Sequence, residues 1–486
     1  MLTPGEIKTL IDNDAASEKK RLARIGLRYY EAEHDIKDYR VFFIDAEGHL
    51  QEDTTKSNIK ISHPFLSELI DQKVQYMLSG KDRYIKSDLP ELQAELDERF
   101  NYNDEFNSEL YELLTGSAAK GIEYMYAYKG EDGKTAFQCA DSLGVVEVRK
   151  NETDDGCEYV IYHYIDRIGK DNKKIKRIQV WDAEQTYYYC QIDDGDIILD
   201  TSAEINPRPH IIYTKDGDES TYFKGFGFIP FFPLCNCKKQ FSDLKPIKAL
   251  IDDYDLMSCG LSNNIQDTNE ALYVVKGFQG DNLDELMLNI KAKKHIGIDE
   301  GGDVDIRTID IPYQARQAKL DLDEKNIYRF GMGFNSAMIG DGNVTNIVIK
   351  SRYALLDMKC NKLEIKLKQF FRKLLKVVIQ EINEMEGTDY RLSDLYFDFQ
   401  REVMTNASDN AQIELTDAQK QQVQIGTLLN LAIYLDNETL MQNICDVLDL
   451  DYEKLKDKLP KPEEADPYAT TQTALDAIKV EGDVIE

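Results

Sequence analysis

The sequence lacks the motifs by which common enzyme classes bind nucleotides, metals or acyl groups. It contains no GxxxxGK(S/T) phosphate loop, no HExxH pair and no GxSxG nucleophile turn. Its six histidines are dispersed, and Cys235 and Cys237, the only closely spaced cysteines, have no second pair to complete a zinc site. We therefore expect no catalytic residue, no metal and no cofactor.

Long apolar segments are also missing. The most apolar run, residues 226–235, is short and contains Pro230 and Pro233, so it cannot span a bilayer. The first twenty residues lack the continuous apolar stretch of a secretory signal. We therefore expect a protein made in the cytoplasm, with reduced thiols and no membrane contact.

Positive charge is scarce, because 59 Lys and Arg residues face 89 Asp and Glu residues and give a formal net charge of -30. Such acidity argues against loose binding to nucleic acid or to anionic membranes. The 486 residues are enough for roughly three domains by the usual length relation. A protein of this charge that handles DNA does not do so by surrounding it with positive charge.

Helical and strand-like patterns divide the first half of the chain. Apolar residues recur at helical spacing over the first forty residues, over 64–78 and over 91–120, with Gly121 as a C-cap. Between 123 and 213 the chain is rich in Tyr, Ile and Val, with turn-like clusters that predict an antiparallel meander. The predicted fold class is α+β, mainly helical.

The second half predicts three helices around two irregular segments. One helix starts near Asp243, a mixed segment with strand-like ALYVVKGF and KKHIGID spans 264–312, and a second helix covers 313–330. A Gly- and Asn-rich loop follows at 331–348, longer than most helix connections. Its glycines permit changes of conformation, and its apolar side chains suit packing between neighbouring loops.

A long helix predicted over 349–386 has two distinct faces at 100° per residue. The apolar arc comprises Leu356, Leu363, Leu367, Phe370, Phe371, Leu374 and Val378. The basic arc comprises Lys359, Lys362, Lys366, Lys373 and Lys376. These lysines either form a solvated or ion-paired face, the more common case, or contact phosphates.

Asp252, Asp253 and Asp255 give the main alternative. Carboxylates three residues apart on a helix can share a divalent cation, which suits a monomeric metal-dependent hydrolase. Acidic residues at this spacing are far more often a solvated or interface face. We therefore expect no metal here.

Several strings occur in an order that indicates a family. They are YYEAEHDI (29–36), NIKISHPFLSELIDQKVQYMLSGKD (58–82), SAAKGIEYMYAY (117–128), CADSLGVVEV (139–148) and GFIPFFPLCNCKKQFSDLKPIKALIDDYDLMSCGLSNNIQD (227–267). Together they resemble portal proteins of long-tailed phages that infect Gram-positive bacteria. Two departures are Ala32, where a glycine is expected, and GDGNVTNIVIKSRY, which lacks a Ser-Gly dipeptide before the long helix.

The resemblance implies a non-enzymatic ring subunit, typically of a dodecamer, at one capsid vertex of the virion, assembled in the host cytoplasm. The ring would pass double-stranded DNA during genome packaging and ejection, and would meet terminase, capsid, scaffolding and head-tail connector proteins. The implied segments are a wing (1–240), a first stem helix (241–263), a clip (264–312), a second stem helix (313–330), a tunnel loop (331–348), a long wing-crown helix (349–386), a crown (387–459) and a flexible acidic tail (460–486). A capsid-associated adaptor without a channel is the other alternative.

The implied contact residues fall into three groups. The tunnel loop would present Phe334, Asn335, Met338, Ile339, Asp341, Asn343, Val344 and Asn346 to the DNA channel. Phosphate contacts would come from Lys350, Arg352, Lys359, Lys362 and Lys366. The clip would meet partner proteins through Lys291, Lys293 and Lys294.

Overall fold

The computed structural model describes most of the chain and places it in two units. The described residues are 1–267, apart from 46, 55, 81–82, 131–132, 151–155, 168–172 and 215–220, then 272–276, 303–307, 312–335, 346–402, 407–432, 434–448 and 452. Unit 1 comprises residues 1–340 and 351–403, and unit 2 comprises 341–350 and 404–486.

The described residues among the first 120 include the α-helices α1 (Pro4–Ala15), α2 (Glu18–Tyr30), α3 (Phe65–Met77), α4 (Pro90–Leu96) and α5 (Asp104–Lys120), and a 3-10 helix at Asp35–Asp38. The predicted N-terminal helical stretch is divided, because the Ser17 side chain caps a new helix. The helix predicted over 91–120 is also interrupted, by a π-helical turn at Asp97–Asn101, and restarts where Asn103 caps α5. Gly121 ends α5 in the left-handed region at φ 93°, which confirms the predicted C-cap.

The strands form small antiparallel sheets. They are β1 (Phe42–Ile44), β2 (Leu50–Glu52), β3 (Ile85–Ser87), β4 (Ile122–Lys129), β5 (Thr135–Ala140), β6 (Val145–Arg149), β7 (Cys157–Arg167), β8 (Lys174–Trp181), β9 (Gln185–Ile192), β10 (Ile198–Leu199), β11 (Arg208–Pro209), β12 (Ile211–Thr214), β13 (Thr221–Lys224), β14 (Phe231–Cys235), β15 (Leu272–Lys276), β16 (Asp303–Arg307) and β17 (Leu395–Phe397). The largest sheet has the order β10-β9-β8-β7-β6, with β11 also on β9, and is the predicted meander. A second sheet has the order β14-β4-β5.

The second half contains α6 (Lys248–Asp267), α7 (Tyr313–Gly331) and α8 (Asn346–Glu386). The helix expected from Asp243 begins later, because residues 242–247 form turns and Pro246 has no N–H for a preceding helical turn. It also extends to Asp267, beyond the predicted end at 263. The long helix starts three residues earlier than predicted, at Asn346, which shortens the loop.

Strands β15 and β16 pair antiparallel within the segment predicted as the clip. The strand-like ALYVVKGF contains β15, as predicted. The partner strand is 303–307, whereas KKHIGID (293–299) lies entirely outside the described residues.

The segment after α8 packs on the main core of unit 1. Strand β17 pairs with β3, with Leu395 opposite Ser87, and Phe399 lies in the main core of unit 1. Residues 387–402 therefore belong to unit 1, although the sequence prediction assigned them to the crown. Unit 2 contains α9 (Ala407–Asn430) and α10 (Asn437–Val447).

The main core of unit 1 is built by α3, α5 and α8. All seven residues of the predicted apolar arc of α8 are at most 2% exposed. They pack with Leu66, Leu69 and Leu113 among others, which confirms the predicted inward face of the long helix. Two smaller cores lie under the meander and between the two sheets.

Candidate functional site

The start of the Gly-rich loop is fixed to α3. The Gln72 side chain accepts a hydrogen bond from Phe334 N at 3.0 Å and donates one to Phe334 O at 2.8 Å. The Phe334 ring stacks on Tyr353 of α8 at 4.9 Å between centroids, and Asn335 Nδ2 donates to Glu324 at 2.8 Å. Phe334 and Asn335, both predicted to face the channel, thus anchor the loop to α3, α7 and α8.

Two glycines of the loop serve close packing. A Cβ atom on Gly333 would lie 2.0 Å from Leu69 Cδ2, and one on Gly331 would lie 2.6 Å from Leu69 Cδ1. The sequence prediction attributed these glycines to flexibility. In the structure the buried Leu69 side chain of α3 occupies the space beside Gly331 and Gly333, so a Cβ atom at either position would require Leu69 to shift.

Near the base of the loop, the Asp243 carboxylate forms ion pairs with two lysines. Its Oδ2 lies 3.0 Å from Lys73 Nζ and 3.0 Å from Lys359 Nζ, and Asn236 donates to its Oδ1 at 2.8 Å. Burial alone would raise the pKa of Asp243, but the two ammonium groups outweigh it and hold the pKa well below its ordinary value.

Lys359 also donates to Gly331 O at 2.8 Å. This lysine was predicted to contact phosphate, yet its side chain is 13% exposed and its charge is paired inside the protein. It is therefore a structural anchor of the loop, and its ammonium group is already engaged by Asp243 and Gly331 O.

The three aspartates of the hydrolase alternative bind three separate sets of partners. Asp252 accepts from Tyr29 and Lys248, and Asp253 pairs with Lys319 at 2.5 Å. Asp255 is fully buried, with His34 Nδ1 at 2.6 Å and His63 Nδ1 at 2.7 Å. Their carboxylates do not converge, so the arrangement does not favour a shared metal.

Asp255 instead links α6 to the N-terminal segments that contain His34 and His63. Burial acts to raise its pKa, but hydrogen bonds from His34 and His63 outweigh it and lower the pKa below its ordinary value. The sequence prediction missed this cluster, although both histidines stand in the family-like strings YYEAEHDI and NIKISHPF.

The remaining basic residues of α8 have different surroundings. Lys350 is exposed, Arg352 and Lys366 are half-buried, and Lys362 is exposed. Arg401 binds Asp357 at 2.8 Å and also binds Glu364, so the two acids of this stretch are already paired.

Several predicted residues lie outside the described residues. They are Met338, Ile339, Asp341, Asn343 and Val344 of the loop and Lys291, Lys293 and Lys294 of the clip. Asn346, the remaining loop residue, is the first residue of α8.

Thiols and other acidic groups form ordinary structural contacts. All eight cysteines are free, and Cys237 Sγ accepts from Phe241 N at 3.2 Å. In the described part of the chain, Asp45, Glu47 and His49 are the only metal-type cluster, and Asp45 accepts from the backbone N–H of the other two. Among the described helices none has the length and apolar character needed to cross a membrane.

The described residues contain the helix pair, the start of the glycine-rich loop and the long helix that the sequence predicts. The family model described as "Phage portal protein, SPP1 Gp6-like" matches residues 9–457. The chain therefore belongs to this family, which is a structural component of phages and not an enzyme.

Two relatives agree with this assignment. The portal protein of Bacillus phage SPP1 is 30% identical over 349 residues, which cover 71% of this chain and 67% of that protein. The portal protein of Clostridium phage phiCD119 is 24% identical over 421 residues, which cover 84% of this chain and 88% of that protein. The resemblance seen in the sequence strings is confirmed.

Proposed function

We propose that this portal protein forms a closed ring, as a dodecamer, at one capsid vertex of the virion, and that DNA passes through the ring during packaging and ejection. The main support for the proposal is the anchored base of the loop. There Gln72 donates a hydrogen bond to the Phe334 carbonyl, and Lys359 donates one to the Gly331 carbonyl. A loop that meets moving DNA needs such a rigid anchor, because force on the loop would otherwise unfold its base.

The two helices before the loop support a stem. Helix α7 returns alongside α6, with Lys319 bound to Asp253 and Arg316 next to Gly260. Strands β15 and β16, both in the segment that joins the two helices, pair with each other. We assign α6 and α7 to the stem, the segment between them to the clip, residues 404–459 of unit 2 to the crown and residues 460–486 to the acidic tail.

Phosphate contacts are proposed for Lys350 and Arg352, which follow the loop directly. Met338, Ile339, Asp341, Asn343 and Val344 remain the proposed channel-facing residues of the loop. An acidic chain with few basic contact points suits a channel, because each neutralised phosphate would strengthen binding and slow translocation. Lys366 is half-buried, and Lys362 lies on the exposed face of α8.

The proposed partners are terminase and head-tail connector proteins at the clip, through Lys291, Lys293 and Lys294, and capsid and scaffolding proteins around the ring. Assembly is proposed to take place in the host cytoplasm. Binding of purified connector protein should weaken when these three lysines are changed to glutamine. Unchanged binding would contradict the clip assignment.

Assembly is tested by negative-stain microscopy and light scattering of the purified full-length chain. Closed rings with a central hole wide enough for duplex DNA are expected. A capsid-associated adaptor without a channel would form smaller or solid assemblies. A strictly monomeric protein at high concentration, with or without its scaffolding partner, would contradict the ring.

The channel contacts are tested with Lys350→Gln and Arg352→Gln in assembled particles. Loss of phosphate contacts should reduce DNA retention and weaken its dependence on salt. The matched control is Lys8→Gln with Lys19→Gln, which removes two exposed lysines of α1 and α2. Retention equal to that of the wild type would contradict a role in phosphate contact.

A further inference from the structure

We propose that the outward face of α8 packs on the outward face of α5 in the next copy of this chain. The proposal rests on the ring assembly and identifies the two surfaces that build it. We call the first the basic face, made of Met358, Lys362, Ile365, Arg372, Lys373 and Lys376. We call the second the acidic face, made of Asp104, Glu105, Glu109 and Glu112.

The basic face combines positive charge with exposed apolar side chains. Lys362, Arg372, Lys373 and Lys376 are exposed, and within the described residues none has a carboxylate at ion-pair distance. Between them, Met358 is 53% exposed and Ile365 is 60% exposed. At 1.5 Å per residue this face is about 27 Å long, which is enough to cover a second helix.

The acidic face has the opposite charge and is equally unpaired. Asp104, Glu105 and Glu112 are exposed along α5, whose only basic residue, Lys120, is buried at its end. Glu109 is half-buried and accepts from Cys139 N at 2.5 Å. Within the part of the chain that the structure describes, none of the four carboxylates lies at ion-pair distance from a basic group.

The occupant of the basic face is a protein surface and not DNA. Duplex DNA presents phosphates to a helix face but offers little that would cover Met358 and Ile365. Burial of apolar area stabilises by about 25 cal/mol per Å², so these side chains favour a partner with its own non-polar surface. Tyr102, which is 64% exposed just before α5, supplies such surface beside the acids.

The two faces suit a ring because they are different. A head-to-tail contact between two unlike surfaces of identical chains generates a closed ring when the rotation closes. Each copy then uses its basic face toward one neighbour and its acidic face toward the other. Both faces belong to unit 1, so every copy carries the complete pair.

Charge reversal on the full-length chain tests the pairing. Lys373→Glu with Lys376→Glu, and separately Glu105→Lys with Glu112→Lys, should each raise the concentration needed for ring assembly by at least about tenfold. An equal mixture of the two variants should assemble again, because alternating copies then place opposite charges at every contact. Circular dichroism checks that each variant is folded.

The control for the lysine variant is Lys8→Glu with Lys19→Glu, which makes the same change in net charge as Lys373→Glu with Lys376→Glu and should leave assembly unaffected. Normal rings from the Lys373/Lys376 variant, with or without altered DNA retention, would overturn the proposal. Failure of the mixture to assemble would overturn the pairing of these two faces. Absence of rings from the wild-type chain would overturn the ring itself, a result distinct from both.

Discussion

Asp243 illustrates how a single buried carboxylate organises the loop base. Lys73 is 2% exposed and depends on Asp243 and Asn236 for its polar contacts. Replacing Asp243 by alanine leaves the ammonium groups of Lys73 and Lys359 without a counter-charge. Removing one partner of a buried pair typically costs about 3–5 kcal/mol, and we expect Asp243→Ala to lower the free energy of unfolding by that amount in urea titrations.

The control for this prediction is an exposed ion pair. Lys37 and Glu33 on the surface are 41% and 55% exposed. Glu33→Ala should change the free energy of unfolding by less than about 1 kcal/mol. Equal effects of the two variants would show that Asp243 is not the counter-charge of the buried lysines.

Two histidines, His163 in β7 and His210 between β11 and β12, predict a pH dependence of stability. Burial lowers the pKa of His163 to about 4 and that of His210 to about 4. The unfolded chain, with an ordinary pKa near 6.5, binds more protons between these values. Stability contributed by the neutral histidines is therefore present above pH 6.5 and is lost as the pH falls toward 4.

The measurement is the melting temperature between pH 7 and 4.5, for the wild type and for His163→Gln with His210→Phe. The melting temperature of the variant should fall less than that of the wild type as the pH is lowered. His49→Gln, in the exposed β1–β2 turn, serves as the control and should follow the wild type. Parallel curves for all three proteins would contradict the assignment.

At the residue scale, the sequence predicted what depends on periodicity and missed what depends on distant contacts. The buried arc of α8 follows from helical spacing and was correct. The pairing of Asp243 with Lys359 joins residues more than one hundred positions apart, so no local pattern indicates it. Lys359 looked the same as Lys362 in the sequence, although Lys359 is half-buried and ion-paired and Lys362 is exposed.

At the scale of elements, the loop base depends on the fit between α3 and two glycines. Gly333→Ala would place a Cβ atom against Leu69, and such overpacking usually costs about 1–3 kcal/mol. On a Leu69→Ala background the obstructing methyl group is absent, so the same change should cost almost nothing. Urea unfolding of the two single variants and the double variant measures this coupling.

Gly5→Ala is the control, because a Cβ atom there would meet nothing within 4 Å. It should be neutral or slightly stabilising, as alanine favours the helix more than glycine does. Additive costs of Gly333→Ala and Leu69→Ala would contradict direct contact between the two sites.

Element types were more predictable than element ends. The meander, the two helices of the proposed stem and the long helix were all predicted. The errors lie where tertiary pairing overrides local signals, as in β17, which becomes a strand by pairing with β3. The π-helical turn before α5 likewise has no signature in the spacing of apolar residues.

At the scale of the whole molecule, the three apolar cores of unit 1 consist only of residues from 7 to 399. We therefore expect the chain ending at Glu402 to fold without α9 and α10. Its melting temperature should stay within a few degrees of that of the full-length chain. Loss of cooperative melting would show that unit 2 is needed for the fold of unit 1.

The same truncated chain also tests whether self-association requires the proposed crown. The basic and acidic faces both lie in unit 1, so the truncated chain should still self-associate, and light scattering should detect this. The screening length, over which exposed charges attract each other, falls from about 8 Å at 0.15 M salt to about 3 Å at 1 M. Association should therefore weaken as the salt concentration rises. Association that is insensitive to salt would mean that apolar contacts such as those of Met358 and Ile365 dominate the interface. Complete loss of association would place the decisive contacts in unit 2.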